Sequence, residues 1–178
     1  LARIYMSGNR EDEAIAQYQT ALTKNPNQAG PHMLLGTIYE VQKRYDLAVT
    51  HYRKALDANP DFAPAANNLA YILATVKDKV DEALVLARKA KEQLPEDPSV
   101  MDTLGWVYYQ KGLYDSAAAE FSDSLEKMPD NPIIHYHLGL ALWKTGKADE
   151  AKDQLERALS MDGAFDGADE ARRVLGEL

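Results

Sequence analysis

Residues 30–60 read GPHMLLGTIYEVQKRYDLAVTHYRKALDANP. Apolar side chains recur at helical spacing in GPHMLLGTIYEVQ and again in DLAVTHYRKAL, so the stretch predicts two helices. KRY makes a short turn between them, and NPDFAP ends the pair because proline cannot continue a helix. Asp46 sits near the start of the second helix, where an acidic side chain caps free N–H groups and suits the positive end of the dipole.

The pair recurs along the whole chain. Ala14, Ala48, Ala83, Ala117 and Ala151 are separated by 34, 35, 34 and 34 residues. Pro26, Pro60, Pro95 and Pro129 keep the same beat, with Gly163 next, and so do Ala2, Gly36, Ala70, Gly105 and Gly139. The one extra residue falls between Leu73 and Ala83, in the turn TVKDKV. Asp12, Asp81, Asp115 and Asp149 repeat the place of Asp46, which reads EDEA and VDEA as helix starts rather than catalytic carboxylates. The expected organisation is a single array over 1–178: a partial repeat 1–28, repeats 29–62, 63–97, 98–131 and 132–165, and a terminal helix 166–178. DGADEARRVLGEL suits a capping helix with one wet face, carrying Asp169, Glu170, Arg172 and Arg173. The array starts inside a repeat and reads as a piece of a longer protein.

Composition narrows the function. A net charge of −8 argues against a binder of nucleic-acid phosphates, which needs a basic stripe. The longest apolar run, Leu69 to Val76, is far short of the ~20 residues of a membrane span. The absence of cysteine excludes disulfides and thiolate sites but fits both a bacterial cytoplasm and an envelope compartment. His135 and His137, two apart on a helix, point in different directions and cannot chelate one ion. His32 and His135 take equivalent places in two repeats, which marks them as interface packing, while His51 has no partner in the sequence. DGAFDG lacks the third and twelfth ligands of a calcium loop, where Ala164 and Arg173 stand. There is no phosphate loop, dinucleotide fingerprint or nucleophile elbow, so no catalytic residue, metal site or cofactor is expected.

The packing follows from size. Gly36, Gly105 and Gly139 let the first helix approach the second, and larger residues fill the gaps, Tyr5, Tyr39, Leu73, Tyr108 and Leu142 on the first helix and Tyr18, Tyr52, Ala87, Phe121 and Leu155 on the second. The pattern LG-x2-Y, then A-x3-F/Y-x2-A, then P, at this period, resembles the tetratricopeptide repeat. Leu35, Gly36, Tyr39, Ala48, Tyr52, Ala55 and Pro60 match it in full, and Leu104, Gly105, Tyr108, Ala117, Phe121 and Pro129 nearly so. The unit 63–97 departs most, with Ala70, Leu73 and Ala87 in place of the glycine and aromatics. DTLGWVYYQKG followed by NPIIHYHLG is also similar to bacterial members, including envelope-associated ones. The resemblance implies an all-α fold, a right-handed superhelix of helix-turn-helix repeats, acting as a non-catalytic protein-interaction scaffold.

In such an array the first helices build an inner wall, and the stripe offset from LG-x2-Y faces the groove. That stripe is Met33, Thr37, Glu40 and Val41, then Asn67, Asn68, Tyr71 and Thr75, then Asp102, Trp106, Tyr109 and Gln110, then Tyr136, Leu140, Trp143 and Lys144. Aromatics in this number on a solvent-facing wall mark an interaction surface, unless the C-terminal helix or another subunit covers them. By the resemblance, Asn68 stands where peptide-binding members hold the backbone of an extended ligand. The Lys, Asn and Arg of a two-carboxylate clamp are missing, since Met33, Thr37, Ser99 and Thr103 take their places. The expected partner is therefore a protein or peptide segment, neutral to basic and partly apolar. A self-associating structural module, with a possible homo-oligomer, and a targeting domain for a catalytic domain elsewhere stay open as alternatives. Arg53, Lys54, Arg88, Lys89 and Lys91 make a second, charged face.

Overall fold

The structure, a computed structural model, describes residues 10–178; the expected places of Leu1, Ala2 and Tyr5 lie outside the described residues. Ten helices and no strand occur among them. They are α1 (Arg10–Lys24), α2 (Ala29–Val41), α3 (Tyr45–Ala58), α4 (Ala63–Thr75), α5 (Val80–Gln93), α6 (Pro98–Gln110), α7 (Tyr114–Lys127), α8 (Pro132–Lys144), α9 (Ala148–Met161) and α10 (Ala168–Leu175). They group into two compact units, the first ending at Gln93 and the second starting at Leu94. In the first unit α2 pairs with α3 and α4 with α5, α1 lies on α2, and the first helices α2 and α4 touch. In the second unit α6 pairs with α7 and α8 with α9, α6 touches α8, and α10 rests on α8 and α9.

Each pair is held by a close crossing. A methyl group added at Gly36 would lie 2.5 Å from the Tyr52 ring, one at Gly105 would lie 2.7 Å from Phe121, and one at Gly139 would lie 2.7 Å from Leu155. Tyr52, Phe121 and Leu155 are fully buried, so none can swing aside without opening the core. In the pair α4–α5 both partners are small, and Ala70, Ala83 and Ala87 are all fully buried among Leu69, Ile72 and Leu73.

The turns inside the pairs share one geometry. A residue with positive φ stands in each: Lys43 (57°), Asp78 (51°), Gly112 (76°) and Gly146 (78°). Glycine tolerates that region freely, whereas Lys43 and Asp78 carry strain there. The closing bonds are Arg44 N–H to Tyr39 O, Leu113 N–H to Tyr108 O and Lys147 N–H to Leu142 O, each five residues back. In the second of these turns Lys79 N–H reaches Leu73 O, six back, so the extra residue is absorbed by one wider loop.

The helix starts correct one expectation. No side chain caps α3, α8's partner α9, or α7, whose N-cap residues are Arg44, Lys147 and Leu113. Asp46, Asp115 and Asp149 lie inside the first turn instead, where they suit the helix dipole, and Asp46 also pairs with Lys77. The side-chain caps sit on first helices: Asp97 accepts from the N–H groups of Ser99 and Val100, and Asn131 from those of Ile133 and Ile134.

Two histidines staple first helices to the connections before them. His32 Nε2 lies 3.1 Å from Pro26 O, and His135 Nε2 lies 2.8 Å from Pro129 O. The other ring nitrogen reaches the second helix, His51 Nδ1 at 3.1 Å in one case and the Gln154 amide at 2.6 Å in the other. His51 thus has a partner that its place in the sequence did not disclose. With its Nε2–H donated to Pro26, neutral His32 accepts at Nδ1, and His51 donates there. Burial first, then the charges of His32 and Lys54, lowers His51 to about 4, and burial lowers His32 as well. The unfolded chain therefore takes up protons that the folded chain refuses as pH falls below about 6.5. Stability is complete above that window and declines toward about pH 4.

Gly105→Ala is expected to cost ~1–3 kcal/mol in urea unfolding, and Phe121→Leu in the same chain to recover part of it. His51→Gln, which copies the His135–Gln154 pair, is expected to flatten the fall in thermal midpoint between about pH 7 and about pH 5. A wild-type midpoint constant over that range would remove the histidine pair as a source of acid sensitivity.

Candidate functional site

The expected wall residues fall into two settings, one in each unit. In the first unit Met33 and Thr37 on α2 and Asn67, Asn68 and Tyr71 on α4 are all half-buried, each keeping part of its surface exposed. Leu34 and Val41 beside them are exposed. A hydrogen-bond chain runs behind them. Asn67 Nδ2 donates to Asn68 Oδ1 at 3.4 Å, Asn68 Nδ2 donates to the Tyr52 hydroxyl at 3.2 Å, and that hydroxyl donates to Glu40 Oε2 at 2.5 Å. The Thr37 hydroxyl lies 3.3 Å from the same Tyr52 oxygen and donates to Met33 O. Burial holds the Glu40 carboxyl above the usual carboxylate range, and the Tyr52 hydrogen bond offsets part of that. Burial, with the Glu40 charge, drives the Tyr52 phenol far up, so it stays a donor.

In the second unit the wall has turned inward. Tyr136 and Leu140, expected on an open groove, are 5% and 1% exposed. They pack with Phe165, Ala168, Ala171 and Val174, so the terminal helix α10 and the loop before it cover them. The Tyr136 hydroxyl donates to Glu170 at 2.8 Å, and its ring lies so close to Gly167 that any side chain there would collide with it. The physical reason is area: α10 buries one apolar stripe, and the aromatic end of α8 is the nearest apolar surface. Asp102 is likewise engaged, its Oδ1 lying 2.8 Å from Nδ1 of the buried His137.

Trp106 and Tyr109 are half-buried against the same clusters. The Trp106 indole stacks on Tyr109 (5.2 Å, 11°) and on His137 (4.4 Å, 29°). Burial first, then the Glu170 charge, pushes the Tyr109 phenol up to about 12. Trp143 is covered on one side by Lys144 at 4.1 Å and lies 5.7 Å from the Arg173 guanidinium. Gln110 and Lys144 stay exposed. The aromatic run of residues 102–121 is therefore mostly packing, and His137, which the sequence offered only as a non-ligand, is the ring on which it stacks.

No group of three or more histidine, aspartate or glutamate side chains able to hold a metal occurs among the described residues. On the charged face Arg53 pairs with Glu82 and Lys89 with Asp61, exposed pairs worth little stability. Val174→Asp is expected to lift α10 from the wall, because it buries an unpaired charge. Tryptophan emission should then move to the red and stability fall by roughly 2–4 kcal/mol; an unshifted emission would separate the tryptophans from the cover of α10.

The chain compares with known proteins as follows. Sequence profiles described as tetratricopeptide repeat match residues 1–61, 33–98 and 133–165, and one described as TPR repeat matches 105–146. A TPR repeat-containing protein of Pseudomonas aeruginosa is 35% identical over 79 residues, which is 44% of this chain and 13% of that protein's length. The fold is that of PilW, described as a widely conserved type IV pilus biogenesis factor, with TM-score 0.81, 23% identity and coverage of 98% of this chain and 83% of the other. Pseudomonas aeruginosa pilF matches with TM-score 0.76, 22% identity and coverage of 97% and 83%. YrrB, described as a TPR protein with an unusual peptide-binding site, matches with TM-score 0.71, 23% identity and coverage of 97% and 88%. On the matched profiles, the repeat period and the helix pairs, this chain belongs to the tetratricopeptide repeat family.

Proposed function

We propose that the chain is a non-catalytic scaffold that binds an extended or short helical segment of a partner protein on its wall of first helices. The observation that carries this reading is the contrast between the two walls. Tyr136 and Leu140 are covered by the chain's own α10, whereas Met33, Thr37, Asn67, Asn68 and Tyr71 keep exposed surface on two adjoining helices. That surface mixes amide, hydroxyl, thioether and phenol groups, which suits a neutral to basic, partly apolar segment. The net charge of −8 favours the same partner. The likeness to PilW supports a role in an assembly at the bacterial envelope, and no helix among the described residues is long and apolar enough to cross a membrane.

The second reading, a module that packs mainly against itself or the rest of its protein, draws on the same α10, since the chain already fills part of its own wall. Titrating arrayed peptides against wild type, Asn68→Ala and Tyr71→Ala separates the two. Peptide binding is expected in wild type and to weaken about tenfold in each variant, a loss typical of one well-placed contact. If the variants bind peptides as wild type does but no longer form an oligomer, the self-packing reading replaces the peptide-binding one.

A further inference from the structure

The side-chain chain behind the first wall has an unusual polarity. Every donor in it points the same way: Asn67 to Asn68, Asn68 to Tyr52, and Tyr52 to Glu40. It begins and ends on an acceptor. At one end the Asn67 Oδ1 is shut off from solvent and has no hydrogen-bond partner among the described residues. At the other the Glu40 carboxylate accepts from Tyr52, and among the described residues no lysine, arginine or histidine pairs with it. Glu40 is half-buried, so part of its carboxylate surface is left to solvent or to a cation brought by a ligand.

What completes it must donate. Backbone N–H groups supply one donor each, and a neutral side chain leaves the carboxylate uncompensated. A lysine ammonium or arginine guanidinium supplies several donors and a positive charge together. Glu40 sits on α2, which touches α4 in the same unit. Tyr52 lies between, fully buried, and fixes the carboxylate from behind.

Resting on the peptide-binding reading above, we infer that the α2–α4 wall holds a specificity subsite for one cationic side chain of the bound segment, with Glu40 as its counter-ion. Thr37 and Asn68 border the subsite, and Tyr52 is a positioning residue that orients Glu40. The subsite selects against acidic segments, since a carboxylate would meet Glu40 without an intervening cation.

The probes are fluorescent eight-residue acetylated peptides of alanine and leucine carrying one arginine at each position in turn, and the same set with citrulline, its uncharged isostere. Anisotropy titrations with wild type, Glu40→Gln and Thr37→Lys form the test. Glu40→Gln keeps an oxygen for the Tyr52 hydroxyl, and Thr37→Lys places a cation one turn before Glu40 on the same helix. Wild type is expected to prefer the best arginine peptide over its citrulline twin by about tenfold or more, and both variants to lose that preference, read as the ratio of the two affinities within each variant. Equal binding of the twins, or a preference that survives in Glu40→Gln, overturns the cationic subsite and leaves groove binding standing. If no peptide of either set binds wild type at millimolar concentration, the groove reading falls with it. A circular dichroism melt of each variant shows whether a lost preference comes from unfolding, which Thr37→Lys and Glu40→Gln would have to share to account for the result.

Discussion

The constraint on which the rest depends is the approach of two helices at a residue without a side chain. At Gly36, Gly105 and Gly139 the first helix comes so near the second that even one methyl group would strike Tyr52, Phe121 or Leu155. Close crossing of this kind orients each first helix about its own axis. Once the glycine face is turned inward, the stripe next to it must become the wall. The proposed site and the core are therefore not separate features of this chain. They are adjoining faces of the same helices.

What fills the space opposite the glycine then decides what the wall can do. Phe121 and Leu155 end in carbon; on the wall of α8 Tyr136 and Leu140 are buried, and on that of α6 Trp106 and Tyr109 are half-buried. Tyr52 fills the same place with a ring that carries a hydroxyl, and that hydroxyl passes between α2 and α4 to Glu40 and Asn68. A single oxygen atom thus couples the interior of one repeat to its surface. Neutral tyrosine must find a partner when buried, so the polar wall and the buried ring require each other.

Repetition also shows how the chain uses equivalent places differently. The histidine in the first turn of α2 and of α8 makes the same bond to a proline carbonyl in residues 26–32 and 129–135, yet its second contact is titratable in one repeat and not in the other. The turns keep one geometry with glycine in two places and with strained Lys43 and Asp78 in two others. Identical folds at the backbone leave room for distinct chemistry at the side chain, which is the property an interaction scaffold needs.

The fold was legible in the sequence because it rests on local, periodic signals: helical spacing, small residues every 34 or 35 positions, and proline at the ends. Those signals also named the wall residues, since a helix face follows from its own sequence once its neighbour is known. They could not tell which wall is open. Tyr136 and Trp106 look alike in the sequence as exposed aromatics, but Tyr136 is closed off by a helix more than 30 residues away, which reaches it only after folding. Nor could they show that Asn67, Asn68, Tyr52 and Glu40 form one chain of bonds, or that His51 meets His32. Those pairings join different helices, and the distance between side chains on different helices is set by packing, not by spacing along the chain.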